Sequence, residues 1–154
     1  MDAVHPRVLG YLGRALSLEL SAVQQYMTHA TLAQAWEDPA TADRFRHETV
    51  EEMQHAERIV QRMIALGAAP AASQLRAVAH GRDLVGLLRL NEILETELIH
   101  HYAEAVRFCL LIGDRENESF FRALWQEEQQ HGEDLAAWVA SLTAAAPSLQ
   151  RAVF

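Results

Sequence analysis

The stretch RHETVEEMQHAER, residues 46–58, decides how the chain folds. With its flanks it sets Phe45, Thr49, Glu52, Ala56 and Ile59 at three- and four-residue spacing, the period of a helix with one buried face. Glu52 lies on that face and His55 lies beside it. A carboxylate and an imidazole one turn apart on a buried face are costly unless something compensates them. The rest of the chain shows what that is.

Working outward, the same periodicity appears four times. The first helix is expected from about Pro6, a residue suited to a first turn, to Trp36. The turn EDPA separates it from a second helix over about Ala40–Leu66. Residues 67–82 carry Gly, Pro and weak periodicity, and read as a long connection. A third helix is expected over Asp83–Ile112, stopped by Gly113, and a fourth over Arg115–Ala145, stopped before Pro147. Ser148 is placed to cap a short C-terminal fifth helix. Short, long and short connections make two antiparallel hairpins joined by a crossover that travels the length of the bundle. The fold class is all-α, with residues 1–154 as one domain.

The 154 residues are half hydrophobic and 22% charged, a composition that folds and buries a core. A formal charge of −8 excludes a nucleic-acid surface and suits a protein that attracts cations. Cys109 is the only cysteine, so a disulfide framework is excluded and a reducing cytoplasm is the expected compartment. No run reaches the roughly 18 uncharged apolar residues of a membrane span.

Each of the four inward stripes is apolar except near its middle. Helix one carries Val8, Leu12, Ala15, Tyr26 and Ala30 around Glu19. Helix two carries Phe45, Ile59 and Met63 around Glu52 and His55. Helix three carries Leu87, Asn91, Leu98, Tyr102 and Ile112 around Glu95, and helix four Phe121, Leu124, Leu135 and Trp138 around Glu128 and His131. The chain has three Glu-x-x-His pairs where composition alone predicts about one. The interval from Glu19 to Glu52 equals that from Glu95 to Glu128. Glu19, Glu52 and His55 each recur at one constant offset, as Glu95, Glu128 and His131. The chain is a doubled hairpin, and antiparallel packing brings all six side chains to one level of the core. The third pair, Glu97/His100, is out of register with Glu95, roughly 200° around the helix, and is assigned to solvent.

Four carboxylates in an apolar core need positive charge, and no Arg lies on the stripes. Two divalent cations supply it. A carboxylate-rich set with one imidazole per metal suits iron or manganese better than zinc.

The stretches LSLELSAVQQY (16–26), RHETVEEMQHAER and EEQQH (127–131), together with length and helix order, resemble bacterioferritin over nearly the whole chain. The resemblance implies a ferritin-like subunit of a hollow 24-subunit iron-storage shell, as a homo-oligomer or mixed with a second subunit type. It implies a ferroxidase centre of two iron ions in each bundle, oxidising Fe²⁺ with O₂ or H₂O₂. Glu19 and His55 match the terminal ligands of one iron, Glu95 and His131 those of the other, and Glu52 and Glu128 the bridging carboxylates. Tyr26 matches a tyrosine near the centre, and is equally a core residue. His47 and Glu51 match an inner-surface iron site, where the family more usually has His and Asp; a solvated helical pair is the other reading. Met53 matches the residue that binds the iron of a b-type haem shared between two subunits, the other reading being a Met in a plain interface. A ferredoxin-like protein is the candidate reductant. Two alternatives stay open: a non-storage di-iron enzyme such as a rubrerythrin-like peroxidase, and a shell subunit specialised for haem. Rubrerythrins usually add a Cys-x-x-Cys domain, and this chain has Cys109 alone.

Overall fold

The computed structural model describes residues 3–145, so the fifth helix expected after Pro147 lies outside the described residues. Four long helices form: α1 Pro6–Ala35, α2 Pro39–Ala65, α3 Leu84–Ile112 and α4 Arg115–Ala144. Each begins where a side chain accepts an unpaired amide of the first turn. Asp38 accepts from the Thr41 amide at 3.1 Å, Asp83 from Gly86 at 2.7 Å and Asp114 from Asn117 at 3.1 Å. His5 does the same for Arg7 at 3.1 Å. Pro6 and Pro39 occupy first-turn positions, where a missing N–H costs nothing. Gly113 closes α3 with φ of 75°, a conformation that a residue without Cβ adopts freely.

α1 packs on α2, α3 on α4, and α1 across on α3. This is the ferritin-like four-helix bundle expected from the connection lengths, and no strand occurs among the described residues. Burial of Val8, Leu12, Phe45, Ile59, Leu88, Leu98, Phe121 and Leu124 fills the core above and below the six polar residues. The sequence repeat is also a structural one. The Tyr26 and Phe45 rings sit 6.2 Å apart at 42°, and their counterparts in the second hairpin, Tyr102 and Phe121, 6.4 Å apart at 41°.

The crossover has no helix or strand and is fastened along α1 by side chains. Ser17 accepts from the Gln74 amide at 3.1 Å, and Ser21 from Arg76 at 3.0 Å. Gln25 accepts from Ala79, and buried His29 pairs with the Ala79 carbonyl at 2.7 Å. Asn91 of α3 ties that end by bonds to Gln25 (2.9 Å) and His29 (3.0 Å). With backbone partners supplied in this way, an irregular segment can lie against the bundle.

Two expectations are corrected. Ile112 is exposed at the bundle end, and Cys109, one turn after Ala105 on the stripe, is the last buried residue of α3. Glu97 is half-buried and ion-paired with Arg76 of the crossover, because the crossover covers that face of α3. His100 is exposed as expected. Among the described residues no helix is long and apolar enough to cross a membrane.

Candidate metal centre

Glu19, Glu52, His55, Glu95, Glu128 and His131 meet at mid-height of the bundle. All are buried except His131, which is nearly so. They form two overlapping groups, each with ligand atoms within 4.8 Å of one another: Glu19, Glu52, His55 and Glu128, and Glu52, Glu95, Glu128 and His131. Glu52 and Glu128 belong to both. The two groups are related by the internal repeat, and the sharing follows from the antiparallel hairpins.

The distances carry the same symmetry. His55 Nδ1 lies 2.8 Å from Glu128 Oε1, 3.3 Å from Glu52 and 3.6 Å from Glu19. His131 Nδ1 lies 2.9 Å from Glu52 Oε1 and 3.5 Å from Glu128. The two imidazole rings run nearly parallel, 5.6 Å apart. Tyr26 donates to Glu95 Oε1 at 2.7 Å, and Tyr102 to Glu19 Oε1 at 2.5 Å.

Protonation shows how strongly the four carboxylates compete for positive charge. Burial, with repulsion from Glu95 and Glu19, pushes the Glu52 carboxyl up to about 8. Burial and the charges of Glu52 and Glu19 push Glu128 up to about 7, and burial with Glu128 raises Glu95 well above its usual range. Burial acts on Glu19 in the same sense, but bonds from His55, Glu52 and Tyr102 outweigh it and hold that carboxyl low. Burial alone would lower the two imidazoles. Their carboxylate bonds overcome it, raising His55 strongly and pushing His131 up to about 12. Even so, the Oε2 of Glu19, Glu52, Glu95 and Glu128 is buried without a hydrogen bond, those of Glu52 and Glu128 having only imidazole contacts at 3.3 and 3.5 Å. Orphaned buried acceptors on four converging carboxylates fit a pair of cations.

Between α2 and α4 the cluster opens to a cleft of about 290 Å³ lined by Glu51, Gln54, His55, Glu127, Gln130 and His131 among others. Glu51 Oε2 reaches the outer nitrogen of His131 at 2.9 Å, and Glu127 that of His55 at 3.8 Å. His47 and Glu51 do pair, at 3.1 Å, with His47 largely exposed. Glu48, Glu51 and His131 form a third group of converging ligand types. Met53 is 51% exposed on α2 with Val50 near it on the same face, and Met27 is exposed on α1.

Sequence reasoning missed Glu48, the contact of Glu51 with His131, and the bond of the Tyr102 hydroxyl to Glu19. Tyr102 carries a signal that could have found it, since it follows Tyr26 at the same offset that relates the two halves of the cluster. Glu48 and Glu51 carry none, because pairing on the open face depends on which way the rings turn.

Comparison with known proteins agrees with this fold. The sequence model of the ferritin-like domain matches residues 9–145. The bacterioferritins of Rhodobacter capsulatus and Brucella melitensis are each 30% identical, over 81% and 82% of this chain and 78% of either relative. A solved structure of the Rhodobacter capsulatus bacterioferritin, described with a metal-free dinuclear site and a haem iron in a crystallographic special position, superposes with a TM-score of 0.89 at 28% identity, over 94% of this chain and 90% of that one.

Proposed function

This chain belongs to the bacterioferritin family of ferritin-like iron-storage proteins, and from that premise we propose that it is a ferroxidase subunit of an iron-storing shell. The observation that carries the reading is the set of four orphaned carboxylate oxygens around two imidazoles. Fe²⁺ is the substrate. Glu19 and His55 hold one ion, Glu95 and His131 the other, and Glu52 and Glu128 lie between the two. Hard oxygen donors favour the ferric product over the ferrous substrate. Each ion gives one electron; with two protons, O₂ leaves as H₂O₂. The protons that the bare carboxylates and imidazoles hold are displaced as the cations enter. The cleft between α2 and α4, where Glu51 and Asp134 stand beside a Glu127 paired with Arg58, is the path by which cations reach and leave the site. The His47–Glu51 pair is a further iron site on that face.

Met53 supports a second cofactor. A half-exposed thioether with Val50 beside it and Met27 on α1 suits a b-type haem shared with a second copy, which Met53 of each copy would hold. The assembly is a shell of about 24 subunits acting in the cytoplasm, of this chain alone or with a second subunit type, with a ferredoxin-like reductant releasing the iron.

Sedimentation velocity before and after aerobic Fe²⁺ loading tests the storage reading. The expected particle is a large shell that gains mass with iron and carries haem absorption, the latter lost in Met53→Leu. A small oligomer that oxidises Fe²⁺ without gaining mass would contradict storage.

A further inference from the structure

The internal repeat extends past the ligands. Tyr26 and Tyr102 are separated by the same interval as Glu19 and Glu95, and both are fully buried. Each donates to Oε1 of one of the two non-shared glutamates: Tyr26 to Glu95, Tyr102 to Glu19. Each ring leans on its own phenylalanine, Phe45 or Phe121, at almost the same tilt. In both glutamates the other oxygen, Oε2, has no partner. Core packing alone asks only for a ring at position 102. A hydroxyl on the same atom of the symmetry-related carboxylate is a chemical requirement added to that.

We propose that Tyr102 is a positioning residue which, with Tyr26, restricts Glu19 and Glu95 to one metal-binding oxygen each, keeping a coordination position open beside both cations for the oxidant. This rests on the reading of the six residues as a two-cation site. A carboxylate with both oxygens free can clasp a cation through the pair. One whose Oε1 already accepts a short, charge-assisted bond from a tyrosine hydroxyl presents only Oε2. A metal site that carries out chemistry keeps such an open position. Tyr26 alone would leave the Glu19 half free to close, so two tyrosines are needed to keep the halves equivalent.

The test is the binding of Co²⁺, whose visible absorption reports coordination number, to metal-free wild-type protein and to Tyr102→Phe. Wild type is expected to take two Co²⁺ per subunit with matched low-coordinate spectra. Tyr102→Phe is expected to keep two, with one shifting to the weak six-coordinate spectrum, and to oxidise Fe²⁺ about tenfold more slowly. Tyr26→Phe should produce the same change on the other half. A Tyr102→Phe spectrum identical to wild type, with two Co²⁺ bound in both, overturns the role of Tyr102 and leaves the two-cation site standing. Wild type that does not bind two Co²⁺ overturns both. Infrared difference spectra of wild type on Zn²⁺ addition need no variant: carboxylate bands of singly attached glutamates support the proposal, and bands of doubly attached ones at all positions overturn it.

Discussion

Replacing Glu128 with alanine is expected to slow Fe²⁺ oxidation by about 100-fold while the shell still assembles. Glu128 belongs to both ligand groups, so its loss removes an anion from each half-site at once. It also takes away the nearest partner of His55 Nδ1, leaving Glu52 at 3.3 Å and Glu19 at 3.6 Å. The fold tolerates the change because the remaining carboxylates repel one another less, and the packing layers around Phe121 and Leu135 are untouched. Stopped-flow absorbance of the ferric product checks the rate, and sedimentation checks the assembly. An unchanged rate would remove Glu128 from the site. Glu128→Gln keeps the shape without the charge and should fall between the two.

The metal-free protein is expected to lose stability as pH rises from about 5 to 8, and added Zn²⁺ to restore it increasingly over the same window. Glu52 near 8 and Glu128 near 7 keep protons in the folded state that an unfolded chain releases near 4.5. The imidazoles, raised well above 6.5, add to the effect in the upper part of the window. Over this range the folded state binds more protons than the unfolded, so its stability falls with pH, by at least a few kcal/mol in total. For a domain of this size that is on the order of 10 °C in Tm. Glu19, held low, contributes stability above 4.5 that is lost only at still lower pH, and stays constant here. Cations replace the protons as counter-charge, so their stabilisation grows as protons become easier to displace. Thermal melts with and without redox-inert Zn²⁺ from pH 5 to 8 measure both trends. A metal-free Tm that rises with pH, or a Zn²⁺ shift that does not depend on it, would contradict the charge balance.

The helices and the meeting of the six polar residues were legible because both are written in spacing. Pro6 marks a start, EDPA a turn and Gly113 a stop, and the matching intervals of the two hairpins align the glutamates and histidines before any packing is known. The crossover was legible only as a length. Its fastening depends on Ser17, Ser21, Gln25 and His29 of α1 meeting backbone groups far along the chain, and such contacts leave no period. That is also why Glu97 was assigned to solvent while Arg76 covers it. Ile112 was misplaced for a different reason. A stripe read by threes and fours does not say where the bundle ends. Tyr102 was visible as a buried ring, but its hydroxyl matters only once Glu19 is known to face it.

The most direct test of the central claim is anomalous diffraction at the iron edge from crystals soaked anaerobically in Fe²⁺. Two peaks per subunit between Glu52 and Glu128 are expected, one toward Glu19 and His55 and the other toward Glu95 and His131. A single peak, or none within the cluster, would show that the four buried carboxylates are balanced by protons and not by a pair of iron ions.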